Sequence, residues 1–200
     1  MTYRIGLTGN IGCGKSAVGA MLRDLGAEYI DADQLVHQLL AAGSPVVPRI
    51  VERFGPGLVT PDGGIDRRAL GAIVFADAAA LRDLEGLLHP AVQADIRRRL
   101  AETTAAVIVV DAIKLIEGGL YRECAAVWVV TCTPAEQRRR LIELRGLSPD
   151  EAEARIAAQP PQEHKVAYAQ VVIDNSGPLE ATRAQVNRAW AVATGATIKP

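Results

Sequence analysis

The sequence has few cysteines, few aromatic residues and no long apolar run. Three of its 200 residues are cysteine and 4% are aromatic. Cys13, Cys124 and Cys132 have the spacing of neither a disulfide framework nor a metal site, so we expect reduced thiols and a cytoplasmic protein. No apolar run reaches the length of about 18 residues that a membrane span needs, and the first residues lack the pattern of a secretion signal. We therefore expect no membrane partner.

The chain also lacks a charge excess of either sign. Its 22 lysines and arginines nearly balance 23 aspartates and glutamates. Such a chain has no overall field that would attract nucleic acid, so anion binding has to come from local sites. Hydrophobic residues make up 49% of the chain, which is enough to bury a core without disulfides or metals. We expect a single domain with embellishments, present as a monomer or a weak homo-oligomer.

Five short β-branched runs alternate with longer helical patterns. The runs lie at residues 3–7, 27–30, 106–110, 126–131 and 170–173, and most are apolar on both faces. This pattern predicts an α/β fold with a five-stranded parallel sheet covered by helices. About seventy residues separate the second and third runs, more than a single crossover helix needs. We predict a helical subdomain inserted there, with its helical pattern interrupted at His89-Pro90.

A phosphate-binding motif follows the first predicted strand. Residues 9–16 read G-N-I-G-C-G-K-S, and a helix-forming run follows them. Glycines allow backbone N–H groups to approach phosphate oxygens, and the helix directs the positive end of its dipole at the same anion. The motif predicts a three-layer P-loop NTPase fold in which Lys15 contacts the β- and γ-phosphates and Ser16 binds Mg²⁺. The predicted ATP contacts are Gly9, Asn10, Ile11, Gly12, Cys13, Gly14, Lys15, Ser16 and Ala17.

The phosphate motif alone does not distinguish kinases from GTPases or ATP-driven motors. The chain has no N-K-x-D element, which GTPases use to select their base. Residues 83–86 satisfy D-x-x-G, but they lie inside a helical run rather than after a strand. A GTPase is therefore the weaker interpretation.

A series of motifs along the chain resembles those of the dephospho-CoA kinase family. The matching stretches run in order from Tyr3 to about Trp190, at residues 6–16, 30–33, 64–70, 87–90, 115–117, 145–148 and 172–177. The resemblance implies transfer of the ATP γ-phosphoryl group to the ribose 3′-hydroxyl of dephospho-CoA, the last step of coenzyme A biosynthesis. It also implies a core at residues 1–33, 104–132 and 166–200, a helical acceptor-binding insert at about 34–103, and a helical lid at about 133–165.

Catalytic roles follow from the same resemblance. Asp33, just past the second predicted strand, is the expected general base for the acceptor hydroxyl; the alternative is an N-cap for a helix that begins at Gln34. Asp31 is expected to orient groups at the site or to cap a helix. Arg138 and Arg145 lie seven residues apart and resemble lid arginines, although a solvated basic face is the alternative. With Lys15, these residues form the predicted catalytic set.

Further contacts are expected at the ends of later strands and in the insert. Asp111 ends the third predicted strand, where P-loop proteins often place a carboxylate that organises Mg²⁺; a turn aspartate is the alternative. Asn175 follows the fifth strand and is expected beside the adenine of ATP, with a turn asparagine as the alternative. The resemblance implies that dephospho-CoA contacts Arg67, His89, Lys114, Leu115 and Glu117.

The chain departs from the family pattern in the phosphate loop. The common loop reads G-G-I-G-S-G-K-S-T, whereas this chain has Asn10, Cys13 and Ala17. Backbone donors do not depend on side chains, so we expect activity to be retained. A thiol at a helix N-terminus predicts a lowered pKa for Cys13, and we expect its oxidation or alkylation to block ATP binding. Ile113-Lys114 also replaces the family's usual Pro-Leu, so the acceptor contacts of that loop are expected to differ.

Two other functions stay open at this point. One is a nucleoside or nucleotide kinase of similar architecture that takes another acceptor. The other is a nucleotide-binding regulatory protein without catalysis, against which Lys15, Ser16 and Asp33 argue. An assay that offers several acceptors distinguishes the three.

Overall fold

The computed structural model describes residues 2–195, so residue 1 and residues 196–200 of the predicted core lie outside the described residues. Five strands form one sheet in the order β2-β3-β1-β4-β5. β1 pairs in parallel with both of its neighbours, β3 and β4, and β4 pairs in parallel with β5. The predicted five-stranded parallel sheet is confirmed, and each predicted run overlaps one strand. The strands are β1 (Tyr3–Gly9), β2 (Glu28–Asp31), β3 (Val107–Asp111), β4 (Ala126–Thr131) and β5 (Val171–Asp174).

The central strands are apolar on both faces because both faces are covered. All five residues of β3 are buried, and β4 is buried except at its last residue. Side chains of β1, β3 and β4 share one core with α1 (Lys15–Asp24) and α9 (Leu179–Thr194). Val18 and Leu22 supply the α1 side of that core, and Val186 supplies the α9 side. This packing fixes the position of α1, and with it the loop that joins β1 to α1.

Three helices connect β4 to the edge strand β5. They are α6 (Pro134–Glu143), α7 (Pro149–Ala157) and α8 (Gln162–Val166). Thr133 and Ser148 cap α6 and α7 by accepting hydrogen bonds from the third backbone N–H of each helix, and proline occupies the first helical position in both. Among residues 2–195, no helix has the length and apolarity to cross a membrane.

The described chain divides into two compact units. One contains the residues up to Ile30 and from Thr103 onward, and the other is Asp31–Glu102. The second unit contains α2 (Ala32–Leu39), α3 (Val47–Phe54), α4 (Arg67–Ala76) and α5 (Ala78–Glu102). It has its own hydrophobic cluster, so its helices are held together by apolar burial independently of the sheet. Members of that cluster include Val47, Ile50, Leu58, Leu70, Val74, Leu84 and Leu88.

The predicted interruption at His89-Pro90 is wrong. The structure has one continuous helix, α5, with Pro90 inside it. Proline removes one backbone hydrogen bond, and its ring crowds the preceding turn. Buried side chains continue on one face of α5 on both sides of Pro90, at Leu84, Leu88, Val92, Ile96 and Leu100. Packing of this apolar face therefore outweighs the local cost of the proline.

Candidate active site

The phosphate loop lies where β1 ends and α1 begins, at the carboxyl edge of the parallel sheet. Gly14 caps α1 with a positive φ of 89°, and a Cβ at this position would lie 2.0 Å from Asn175 Nδ2. A Cβ on Gly9 would lie 2.5 Å from the carbonyl oxygen of Val130. Only glycine fits at these two positions, because the loop backbone is pressed against its neighbours. The motif predicts that backbone N–H groups of this loop donate to phosphate; two of them are bonded within the protein in this structure, Ile11 to Gln159 Oε1 and Cys13 to the Asn10 carbonyl.

Side chains from later in the chain hold the back of this loop. The carbonyl oxygen of Cys13 accepts hydrogen bonds from Asn175 Nδ2 at 2.9 Å and from Arg140 Nη1 at 3.1 Å. Arg140 also donates to the Asn175 carbonyl at 2.6 Å, and Asn175 Oδ1 accepts from Thr182 at 2.8 Å. Asn175 is buried, and both polar atoms of its side chain are bonded within the protein. The structure thus places Asn175 behind the loop; a contact with adenine stays a prediction.

Lys15 and Asp111 are brought together by the pairing of β1 with β3. The Lys15 ammonium donates to Asp111 Oδ1, and the Tyr29 hydroxyl donates to Oδ2 of the same carboxylate. Asp111 is nearly fully buried, so its charge requires such partners. The Tyr29 ring lies against α1: a Cβ on Gly19 would lie 2.4 Å from the Tyr29 hydroxyl oxygen, and the Arg23 guanidinium stacks 3.6 Å from the ring centroid. Tyr29 therefore orients a carboxylate that the sequence predicts as a magnesium ligand.

A second ion pair fastens the loop after β3. Lys165 on α8 is 2% exposed, and its ammonium donates to Glu117 Oε1 and to the Ile113 carbonyl, both at 2.8 Å. Thr8 of β1 also donates to the Ile113 carbonyl, at 3.1 Å. Burial alone would raise the pKa of Glu117, but the hydrogen bond and charge of Lys165 outweigh it, and the pKa lies below its ordinary value. The predicted acceptor loop is thus held by α8.

The other predicted residues of this loop differ in exposure. The Lys114 side chain is exposed. Leu115 is 0% exposed. A Cβ added to Gly6 would lie 2.7 Å from the Leu115 Cδ2 atom, so the Leu115 side chain packs against the backbone of Gly6. The Leu115 side chain belongs to the core, so the predicted contact with the acceptor stays a prediction that only its backbone can meet. Its role is to anchor the loop that carries Lys114 and Glu117.

The two predicted lid arginines lie on the surface. Arg138 on α6 donates to Glu153 on α7 at 2.8 Å, and both side chains are about half exposed. Exposed ion pairs of this kind contribute roughly 0–1 kcal/mol, so little free energy opposes the release of Arg138 to a phosphate. Arg145 is exposed in the connection between α6 and α7. Roles for both in catalysis stay predictions.

Asp33, Arg67 and His89 belong to the unit Asp31–Glu102. Asp33 is exposed in the first turn of α2, whose N-cap is Asp31, with the Asp31 carboxylate accepting from the Gln34 N–H at 2.9 Å. The alternative that Asp33 caps a helix beginning at Gln34 is therefore wrong, and the capping role expected of Asp31 is found. Arg67 is the exposed first residue of α4, and His89 is partly buried on α5.

The environment expected for Cys13 is wrong. Its side chain is 1% exposed, and burial, with a smaller effect of Cys132, raises the pKa of the thiol to about 12. Hydrogen bonding from backbone N–H groups and the charge of Lys15 act in the opposite direction and are outweighed. The helix N-terminus cannot stabilise a thiolate that has been removed from water to this extent.

Several residues at the site were not predicted from the sequence: Tyr29, Gln137, Arg140, Gln159 and Lys165. A signal did exist for two of them. Gln137 and Leu141 are the buried residues of α6, and Arg140 lies three residues after Gln137, on the face turned to the protein. Helical spacing counted from Pro134 would have separated Arg140 from its exposed neighbours Arg138 and Arg139. The contacts of the other three depend on long-range packing.

Fold and site together define a class of protein. A parallel sheet places a strand–phosphate loop–helix unit beside a strand-terminal carboxylate, with helices bearing arginines after the next strand. These are the features of a P-loop kinase.

Comparison with known proteins identifies the family. The family model for dephospho-CoA kinase matches residues 3–181. The dephospho-CoA kinase of Symbiobacterium thermophilum is 51% identical over 194 residues, covering 96% of this chain and 81% of the relative. That of Geobacter sulfurreducens is 46% identical over 190 residues, covering 94% and 96%. The structure of dephospho-CoA kinase from Campylobacter jejuni matches with a TM-score of 0.73 at 27% identity, covering 98% and 99%. This chain belongs to the dephospho-CoA kinase family.

Burial predicts that Cys13 is unreactive in the folded protein. We expect iodoacetamide at pH 8 to label Cys13 far more slowly than it labels the same thiol in urea, because the folded thiol is inaccessible and its pKa is about 12. Mass spectrometry of peptides after timed labelling measures this. The urea-unfolded chain is the control, and rapid labelling of Cys13 with ATP binding lost in proportion would contradict the prediction.

The hydroxyl of Tyr29 predicts a measurable contribution to stability. Tyr29→Phe leaves one oxygen of the buried Asp111 carboxylate without its donor, so we expect the free energy of unfolding to fall by about 1.5–3 kcal/mol. Urea denaturation at pH 7 measures the loss. Tyr168→Phe is the control, since it keeps the edge contact with the Tyr121 ring. Equal stability of the Tyr29 and Tyr168 variants would show that the Asp111 contact contributes nothing.

The Lys165–Glu117 pair predicts a pH-dependent loss. Lys165→Met should lower the free energy of unfolding by about 1.5–3 kcal/mol at pH 7. Because the folded pKa of Glu117 is depressed, its contribution is complete above the ordinary carboxyl pKa of about 4.3 and is lost as the pH falls through the folded value. The difference between parent and variant should therefore shrink on acidification. Glu117→Gln should show the same pH-dependent loss in the free energy of unfolding. A loss in Lys165→Met that does not change with pH would show that Glu117 does not contribute to it.

Proposed function

We propose that this protein transfers the γ-phosphoryl group of ATP to the ribose 3′-hydroxyl of dephospho-CoA, producing CoA and ADP in the final step of coenzyme A biosynthesis. The observation that carries the proposal is the family match over residues 3–181, which includes the phosphate loop and its lysine. A related kinase that takes another nucleoside or nucleotide acceptor is the alternative. The two differ only in what the acceptor-binding residues recognise.

ATP would be held by the phosphate loop, residues 9–17. The loop supplies backbone N–H groups, α1 directs its positive end at the phosphates, and Lys15 supplies a mobile charge. In the structure the Lys15 ammonium is held by Asp111 at the edge of the loop, so a triphosphate would exchange one anionic partner for another. Arg140 would act indirectly, by fixing the Cys13 carbonyl behind the loop.

Mg²⁺ would be held by the Ser16 hydroxyl and the Asp111 carboxylate. Both are oxygen donors, and Ser16 is exposed in the first turn of α1. The donor set fits the ion, which takes few protein ligands and relies on phosphates and water for the rest. Within residues 2–195, no group of three or more His, Cys, Asp or Glu side chains could hold a metal ion. When bound, Mg²⁺ neutralises charge on the β- and γ-phosphates.

The acceptor would be prepared by the unit that follows β2. Asp33 would accept the proton of the 3′-hydroxyl, since its carboxylate is exposed and the capping task belongs to Asp31. Arg67 and His89 would contact dephospho-CoA from the insert at about residues 34–103, and Lys114 and Glu117 from the loop after β3. The Glu117 carboxylate is anchored by Lys165 through Oε1 and is exposed to solvent.

The lid, residues 133–165, would neutralise the charge that develops on the transferred group. Arg138 and Arg145 are the residues assigned to this task, because both are exposed and Arg138 is held by a surface ion pair with Glu153. Closure would also exclude water from the transferred phosphoryl group.

The cellular setting follows from the same assignment. A cytoplasmic location fits the three free thiols, Cys13, Cys124 and Cys132. The protein would work as a monomer or a weak homo-oligomer, with ATP and dephospho-CoA as its partners and no nucleic acid. Sedimentation at working concentrations tests the oligomeric state.

Removal of the proposed base predicts a selective loss of turnover. Asp33→Asn should lower turnover with dephospho-CoA by about two or more orders of magnitude while ATP binding stays near that of the parent. A coupled ADP-release assay and calorimetric titration with ATP measure the two quantities. Asp31→Asn is the matched control, because asparagine caps a helix as well as aspartate does.

The same assay tests the acceptor. Adenosine and nucleoside monophosphates are offered beside dephospho-CoA. Unchanged turnover in Asp33→Asn would remove Asp33 from the mechanism, and turnover of another acceptor in place of dephospho-CoA would overturn the proposed substrate.

A further inference from the structure

Two glutamine side chains bond both peptide groups of Ile11 in the phosphate loop. Gln137 of α6 donates from Nε2 to the Ile11 carbonyl oxygen at 2.7 Å. Gln159, which follows α7, accepts from the Ile11 N–H at its Oε1, also at 2.7 Å. The backbone partners determine which atom of each amide faces the loop, because a carbonyl can only accept and an N–H can only donate.

These bonds fix two successive peptide planes. A peptide unit is planar and trans, so the carbonyl of one residue and the N–H of the next point in opposite directions. Holding the Ile11 carbonyl therefore orients the N–H of Gly12, and holding the Ile11 N–H orients the carbonyl of Asn10. That carbonyl accepts from the Cys13 N–H at 3.3 Å, which closes the turn of the loop.

A third bond joins the loop to the segment after α7. Asn10 Nδ2 donates to the Pro160 carbonyl at 2.9 Å, at a position where the family's common loop has glycine. Asn10 Oδ1 is buried, with no hydrogen-bond partner in the part of the chain that the structure describes. A buried acceptor without a donor costs stability, so the presence of asparagine at this position is better explained by a task at the loop than by stability. Residues 159–160, which we call the strap, thus contact both Asn10 and Ile11.

We propose that Gln159 is a positioning residue for ATP: with Gln137, it sets the orientation of the Asn10–Ile11 and Ile11–Gly12 peptide units, so that the donors of the phosphate loop are arranged before the nucleotide arrives. The inference rests on the proposed use of ATP. Both glutamines lie in the predicted lid, residues 133–165, so a movement of that segment would reach the phosphate cradle through one residue, Ile11. Preorganised donors bind an anion without an ordering cost at the moment of binding.

Two substitutions at position 159 separate the effect of losing the hydrogen bond from other effects of changing the side chain. Gln159→Met removes the acceptor at similar side-chain length, whereas Gln159→Glu keeps an oxygen that can accept from the Ile11 N–H. Gln162→Met places the same change three residues further on, at a partly exposed site on α8. Amide exchange at Ile11, followed by NMR without nucleotide, reports the bond directly. Calorimetric titration with ATP reports its consequence.

We expect exchange at Ile11 to be at least about tenfold faster in Gln159→Met, and to stay close to the parent in Gln159→Glu and Gln162→Met. The dissociation constant for ATP should rise about tenfold in Gln159→Met and stay unchanged in Gln162→Met. Kinetically, the KM for ATP should rise with little change in kcat, since the bond acts before the chemical step.

Two results would overturn the inference. Unchanged Ile11 exchange in Gln159→Met would show that the bond is absent in solution. Faster exchange with unchanged ATP affinity would show that the bond is structural only. Neither result depends on the acceptor, so a failure of the inference is distinct from a failure of the proposed function, which would appear as absence of dephospho-CoA turnover in the parent protein.

Discussion

A phosphate cradle made from backbone N–H groups functions only if the backbone itself is held still. The glycines that let the loop approach phosphate also give it the greatest conformational freedom, and ordering one residue costs roughly 1–2 kcal/mol. In this protein that freedom is removed from behind, where Asn175 and Arg140 both bond the Cys13 carbonyl. Asn175 and Arg140 lie late in the chain, so the cradle depends on the sheet order that places β4 beside β1 and β5 beside β4.

Charge at the site is balanced in the same way. Lys15 and Asp111 are both largely withdrawn from water, and a lone charge at either position would be strongly unfavourable. Pairing them neutralises both charges, and Tyr29 supplies a donor to the second carboxylate oxygen. Under the proposed function, a triphosphate and its metal would supply new partners to both groups, so neither side chain would have to be carried from solvent into the site. The cost of burying these charges is met when the protein folds rather than when it binds.

The sequence predicts the sheet and the phosphate loop well because both are local patterns. Apolar β-branched runs and the G-x-x-x-x-G-K-S spacing carry their meaning within a few residues. Prediction was wrong where a distant contact outweighs a local rule. Pro90 remains inside α5 because the apolar face continues past it, and Cys13 is buried against the sheet despite its place at a helix N-terminus. Tyr29 and Lys165 carry no motif at all, because their importance arises only from the partners that folding brings to them.

The contact between Tyr29 and α1 has a consequence for how the sequence can vary. The tyrosine ring occupies the space into which any side chain at position 19 would extend. Residue 19 can therefore gain a methyl group only if residue 29 becomes smaller, and a smaller residue 29 gives up its bond to the carboxylate at position 111. Positions 19 and 29 are in this way coupled by the space they share, and position 29 is coupled to position 111 by its hydrogen bond. Relatives without an aromatic residue at position 29 are free of that restriction, and alanine at position 19 should be acceptable in them.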